Sequence, residues 1–230
     1  MRFRSACVVG AGRAGRAIAA RLGERLPVHV AGRDRDCGGA DLVVLCVPDR
    51  EIAELAAAIA PGPWLCHVSG ASRVGALDPH ERRFGLHPLQ TFRAGGGAEQ
   101  LDGAWAAVTA EDDEALAAAR ELAKLLGVRP FELADEERPL YHAGATVAAS
   151  FLVTLHAVAS DLLRAAGAPP AALEPLMRRT IENGFAPTGP HVRGDRETVE
   201  RHLEAIRLRR PELAPVYEAL SEATTRVLAV

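Results

Sequence analysis

Short β-branched runs alternate with alanine-rich stretches as far as about residue 134, and beyond that point the strand signal stops. No other feature limits the fold of this chain so sharply. Alternating strands and helices build βαβ units around a parallel sheet, whereas a succession of helices cannot extend one. Strands are predicted near Arg4–Val9, Val28–Ala31, Leu42–Val47, Trp64–Val68, Arg83–Leu86, Ala104–Thr109 and Arg129–Leu133. Helices fit between them at Arg13–Arg25, Arg50–Ala60 and Asp112–Leu126. The remainder reads as helices only: a long one from about Glu136 to Ala166, then Pro170–Glu182, Arg196–Leu208 and Pro211–Ala229. Gly167 followed by Pro169 and Pro170 closes the first of these, since glycine supplies a C-cap and proline cannot continue a helix, and Asp195 is a natural N-cap for the helix that begins at Arg196. The fold class is therefore α/β, a Rossmann-type doubly wound and mostly parallel sheet over residues 1–134, followed by an all-α domain over residues 135–230.

Composition narrows the partners. With 48% apolar and 25% charged residues the chain is of the soluble globular class. Its formal charge of -3 and 4% aromatic content offer neither a phosphate-binding stripe nor stacking platforms, so no nucleic-acid partner is expected. Cys7, Cys37, Cys46 and Cys66 form no Cys-x-x-Cys pair, and three of them fall in predicted buried strands. Four free thiols in a reducing cytoplasm are the expectation. No run approaches about 18 unbroken apolar residues, so no signal peptide and no membrane partner are expected either. No metal is expected.

The segment VVGAGRAGRAIAARL places Gly10, Gly12 and Gly15 in a G-x-G-x-x-G order between a strand and a helix. Gly10 permits the tight turn, Gly12 lets the backbone approach a pyrophosphate, and Gly15 lets the helix lie close to the strand. Ala11, Arg13 and Ala14 complete the cofactor loop. At the end of the second strand, where an NAD site puts an acid, Arg33 comes first, and an arginine suits a 2′-phosphate. NADP is favoured, with NAD possible. From Gly32 to Asp41 only ten residues cross to the third strand, fewer than carry a helix, so a loop is expected there.

Ligands of doubly wound sheets lie beyond the carboxyl ends of the strands. Val47 and Pro48 follow the third strand and are expected against the cofactor, with Asp49 capping the next helix. Ser69 and Gly70 follow the fourth. His87, held by Pro88, and Gln90 and Thr91 follow the fifth. On the long helix His142, Thr146 and Ser150 recur every fourth residue and form one polar line beside small alanines. Reduction of a carbonyl or imine needs a proton donor, and an unperturbed imidazole titrates near neutrality. Lys124, the one lysine, falls away from the expected cleft. Histidine is the expected donor: His87 and His142, with Ser150 and Ser69, form the catalytic candidates. Gly70, Gln90, Thr146, Asn183 and Arg193 are the candidates for substrate binding, and Tyr141 is expected to point away and pack. Each polar residue also has a structural reading as a cap or a back-bonded hydroxyl.

Taken in order, VVGAGRAG, VPDREI, HVSGA, GLHPLQTF, YHAGA and TGPHVRGD resemble the 6-phosphogluconate dehydrogenase-like superfamily. More closely they resemble the bacterial family of a Rossmann-like domain followed by a C-terminal domain of unknown function. The resemblance covers nearly the whole chain, with GLHPLQTF its most specific piece. It implies a nicotinamide-binding domain and a helical domain that supports substrate binding and dimerisation. Ketopantoate reductases and hydroxyacid dehydrogenases place a lysine and an asparagine on the first long helix of the second domain, the neighbourhood that His142 and Ser150 occupy here. Prephenate dehydrogenases are similar in having a His-Pro like His87-Pro88. Members of the close family commonly have asparagine where this chain has Ser150. The expected function is NADP-dependent reduction of a small, ketopantoate-like 2-oxo acid. Alternatives are an imine or prephenate-type dehydrogenase and a non-catalytic NADP(H)-binding sensor or scaffold. The wide apolar stripes of the last four helices suggest a homodimer.

Overall fold

A computed structural model describes residues 2–32 and 36–228, so Arg33 lies outside the described residues. Seven strands form one sheet in the order β2-β1-β3-β4-β5-β6-β7. They are β1 Ala6–Val9, β2 Val28–Ala31, β3 Leu42–Leu45, β4 Trp64–His67, β5 Arg83–Leu89, β6 Trp105–Thr109 and β7 Arg129–Glu132. Every predicted strand forms. β1 to β5 run parallel, β6 lies antiparallel to β5, and β7 follows β6 in parallel. The chain is thus a Rossmann-type, mostly parallel doubly wound sheet followed by helices alone.

The inner strands β1, β3 and β4 read as apolar runs because both faces are covered. Ala6, Val8, Leu42 and Val44 look toward α1 (Arg13–Gly23) and α3 (Asp113–Leu126). Cys7, Val9, Val43 and Leu45 look the other way, toward α2 (Asp49–Ala58). On that second face the crossover from β2 to β3 carries no helix among the described residues, as its length foretold. Cys37 and Ala40 pack there instead, and Cys37 is bonded to Cys7. This corrects the expectation of four free thiols; only Cys46 and Cys66 are free. Spacing in sequence could not show that a loop residue sits 5.4 Å, Cα to Cα, from a core strand.

The chain divides into two compact units, residues 1–147 and 148–230. The division falls later than the last strand because α4 (Arg138–Thr146), with Pro139 in its first turn, is tied to the sheet by side chains described below. A π-helical turn, Val147–Phe151, separates α4 from α5 (Leu152–Ala166), where an unbroken helix is predicted from sequence. The second unit continues with α6 (Leu173–Glu182), α7 (Arg196–Arg209) and α8 (Ala214–Leu228). Gly167 caps α5 in the left-handed conformation, and the Asp195 carboxylate accepts from Thr198 N–H to cap α7, both as the sequence implies. The stretch Asp135–Ala166 is long and apolar enough to cross a membrane by length and composition alone. No unbroken apolar run marks it in sequence, because His142, Thr146, Ser150 and His156 interrupt it.

Candidate active site

The glycine loop is built from backbone. Gly10 sits at φ 108°, and a Cβ there would lie 2.3 Å from the Cys46 carbonyl oxygen. A Cβ on Gly15 would lie 1.9 Å from the Gly10 oxygen, so helix and turn touch only because neither residue has a side chain. Gly12 differs: nothing lies within 4 Å of its missing Cβ, and it is exposed with Ala11 and Arg13. α1 begins at Gly12 without a side-chain cap and without an acid in its first turn. Its N–H groups therefore remain available to an anion. Arg16 steadies the loop from below, donating from Nε to the Ala11 carbonyl at 2.9 Å. Ala14 is half-buried in the first turn. A tight turn, an open middle glycine and an uncapped helix start together fit a dinucleotide pyrophosphate. Val47 is half-buried with its Cγ1 3.2 Å from the Gly10 Cβ position, and exposed Pro48 occupies the N-cap of α2. Asp49 is the first helical residue and makes no cap bond, a correction to its expected role.

Three strands along the same edge stands a cluster of imidazoles. Strand register sets Val9, Leu45, His67 and Gly85 side by side, so the glycine loop and the end of β5 lie about 14 Å apart at ~4.8 Å per strand. His87 follows two residues after Gly85 on the same face. Its Nδ1 lies 2.7 Å from the Tyr141 hydroxyl, and its ring meets those of Tyr141 and His142 edge to face, at centroid distances of 5.5 and 5.9 Å. Tyr141 therefore does not point away as expected. Consecutive helical residues diverge by about 100°, and His87 projects into the angle between Tyr141 and His142 so that both reach it.

Gly70 makes this approach possible. It is buried, and a Cβ on it would come within 2.5 Å of His142 Cδ2 and 3.0 Å of both Cε1 and Nε2 of His87. The Ser69 hydroxyl accepts from Ala71 N–H at 3.1 Å and Ser72 N–H at 2.9 Å, holding the turn that presents Gly70. Among the described residues its own hydrogen has no acceptor.

Burial, and next the charge of His142, push His87 down to about 4, so the ring is neutral near pH 7. Burial pushes the Tyr141 phenol up to about 12, which keeps it a hydrogen donor. A Tyr141 O–H that donates to Nδ1 places the His87 hydrogen on Nε2. Among the described residues Nε2 has no partner, which leaves that N–H to a ligand.

Two buried groups escaped the sequence reading. His67 is fully buried; burial, then Arg138, push it down to about 4, opposed by a hydrogen bond to the Arg73 backbone. Arg138 is fully buried at the start of α4. It donates to Thr109 Oγ1 at 2.8 Å and to the Ser69 carbonyl. A buried charge on one helix residue gives no sequence signal distinct from the many surface arginines.

The other candidates fall elsewhere. Thr146 bonds back to the His142 carbonyl at 2.9 Å, and the Ser150 carbonyl, in the π turn, accepts from Thr154 at 3.4 Å. Gln90 and Thr91 line a cavity of about 400 Å³ with Arg13, Phe92, Arg93 and Gln100, beside the glycine loop. Asn183 is the exposed C-cap of α6 and Arg193 an exposed turn residue, both in the second unit.

With this geometry in place, comparison with known proteins adds a family and a fold. The profile of the family described as a domain of unknown function, DUF2520, matches residues 104–224, just over half of the chain. No curated protein sequence matches significantly. Among solved structures, a Bacteroides fragilis protein provisionally described as an NADP oxidoreductase is 20% identical, covering 96% of this chain and 98% of its own, with a TM-score of 0.80. Protein TM1727 from Thermotoga maritima is 21% identical over 97% and 98%, with a TM-score of 0.78. An imine reductase from Streptomyces aurantiacus is 14% identical over 96% and 93%, with a TM-score of 0.66. At these identities the likeness is one of fold.

Proposed function

We infer the activity from one premise: the chain belongs to the family of the domain of unknown function DUF2520. We propose that it is an NADP-dependent oxidoreductase that reduces a small 2-oxo acid, a ketopantoate-like compound being the most concrete candidate. The observation that carries this reading is the convergence of His87 and His142 on Gly70, along the strand edge that also carries the glycine loop.

Gly10, Gly12 and Gly15 with the start of α1 would hold the pyrophosphate, Ala11, Arg13 and Ala14 would flank it, and Arg33 would meet the 2′-phosphate. Val47 and Pro48 would line its adenosine or nicotinamide side. When bound, the reduced nicotinamide supplies a hydride to the substrate carbon. The chain's own residues then manage the oxygen. His142 delivers a proton to it, and the neutral His87 donates a hydrogen bond from Nε2 that strengthens as negative charge develops. Tyr141 fixes the His87 tautomer. Ser69 offers a further hydroxyl hydrogen, and the positive charge of Arg138 favours a substrate bearing a carboxylate. Gln90 and Arg13 face the adjoining cavity.

A second substrate class, a cyclic imine, uses the same proton donor, and the fold shared with an imine reductase favours testing it. The helical unit exposes Phe151, Val153, Leu176 and Leu208, which supports a homodimer in which this unit serves assembly. Light scattering that finds only monomer at micromolar concentration would count against it.

The test is a fluorescence titration with NADPH and with NADH, followed by NADPH oxidation against a panel of 2-oxo acids and cyclic imines. Binding of NADPH well ahead of NADH, with turnover of at least one panel member, is expected. His142→Gln should then lower kcat by about 100-fold or more while leaving NADPH affinity within about twofold. NADPH binding without turnover of any panel member would replace the enzyme with a nucleotide sensor.

A further inference from the structure

Arg138 is the one fully buried guanidinium among the described residues, and no carboxylate lies within salt-bridge distance of it. Taking a cation out of water costs heavily, and an apolar side chain of similar volume commonly serves stability as well. Its placement is specific. Register across three strands sets His67, Gly85 and Thr109 in one row on a single face. The guanidinium lies over the middle of that row: a Cβ on Gly85 would come within 3.0 Å of Arg138 Nη1 and 3.1 Å of His67 Cε1. From this trough one amino group reaches Thr109 Oγ1, whose own hydrogen goes to the Leu133 carbonyl at 2.8 Å. The other reaches the Ser69 carbonyl, next to Gly70. The Asp135 carboxylate secures the same approach to the helix by accepting from Val74 N–H at 3.0 Å.

We propose that Arg138 is the positioning residue of this site: it pins the start of α4 across β5 and β6, and so holds Tyr141 on His87 Nδ1 with the Nε2–H directed to the Gly70 side. Tyr141 and His142 stand three and four residues after Arg138, within one helical turn, so an error at the pin is passed directly to both rings. The same side chain orients Ser69 through its carbonyl, so both walls of the site hang on one residue. The groups facing His87 are His142, Tyr141 and Arg138 from α4, His67 from β4 and Asp49 from the start of α2. After burial, the basic groups His142 and Arg138 hold His87 down against the opposing Asp49 carboxylate, which agrees with a ring kept uncharged at neutral pH.

The proposal rests on the functional reading only in giving His87 a substrate to meet, and its test needs none. In protein labelled with ¹⁵N-histidine and free of cofactor, long-range proton–nitrogen spectra report which His87 nitrogen carries the hydrogen. The intact chain should show one Nε2–H tautomer from pH 5 to 8. In Arg138→Met that signal should average between tautomers, and the His87 titration midpoint should rise by about one pH unit or more. Thr109→Val keeps the cation and removes one anchor, so it should give a smaller shift of the same kind even if Arg138→Met does not fold. Arg138→Lys should restore the titration midpoint more fully than the tautomer. A folded Arg138→Met, or a Thr109→Val, whose His87 signals match those of the intact chain would overturn the proposal. If His87 responds as expected but no panel substrate turns over, the functional reading fails and the positioning role stands.

Discussion

The glycine loop and the imidazole cluster sit on one sheet edge and are made in opposite ways. The loop works by what it lacks: Gly10 and Gly15 let main chain touch main chain, and Gly12 leaves a gap. The cluster works by side chains from β4, β5 and α4, which meet around Gly70. The first is local, spanning six residues; the second brings together residues from 67 to 142. A binding surface can therefore be written in a short motif, whereas the group that handles protons depends on how elements far apart in sequence are stacked.

Four experiments would break or sharpen this contrast. The largest effect is expected at the loop. In Gly15→Ala the new carbon would lie 1.9 Å from the Gly10 oxygen, so backbone must move. A loss on the order of 4 kcal/mol of stability, or failure to fold, is expected in denaturant unfolding, with NADPH binding lost. Near-normal binding would mean the loop has slack that the close contact denies.

Of the two regions, acid should act on the cluster. His67 and His87 are held near 4 against an ordinary value of 6.5, so the folded chain binds fewer protons than the unfolded chain between those limits. Their contribution is complete above about pH 6.5 and is lost as pH falls toward 4, by at most about 3 kcal/mol per ring. Unfolding curves at intervals of pH should show that loss. In a His87→Gln protein the slope between pH 6.5 and 4 should be shallower; an unchanged slope would place the proton uptake elsewhere.

Gly70→Ala separates binding from chemistry. The added methyl would displace both rings by an ångström or so, which predicts a fall in kcat of about 100-fold with NADPH affinity held. A loss of affinity instead would join the two regions into one site. The smallest effect belongs to Tyr141→Phe, which removes one hydrogen bond of about 1 kcal/mol and should lower kcat on the order of tenfold. A larger fall would give the phenol itself a part in proton delivery.

Much of the fold was legible beforehand. All seven strands form, because runs such as Leu42–Leu45 are apolar on both faces and bounded by polar turns, a pattern that local sequence carries whole. The short crossover was legible from chain length, and the caps at Gly167 and Asp195 from residue type. The antiparallel turn of β6 was not, since strand direction leaves no mark in composition. Tyr141 was misread because helical geometry alone places it away from His142, and nothing in sequence says that His87 projects between them.

The sequence by itself determined the doubly wound sheet, the helical continuation and the glycine loop, because periodicity, glycine's missing side chain and chain length act between near neighbours. Tertiary structure alone decided that Cys7 meets Cys37, that His87 and His142 close over Gly70, and that Arg138 lies in the trough above Gly85. Those contacts depend on strand register and on the docking of α4, and a shift of one residue would send each side chain to the other face of the sheet.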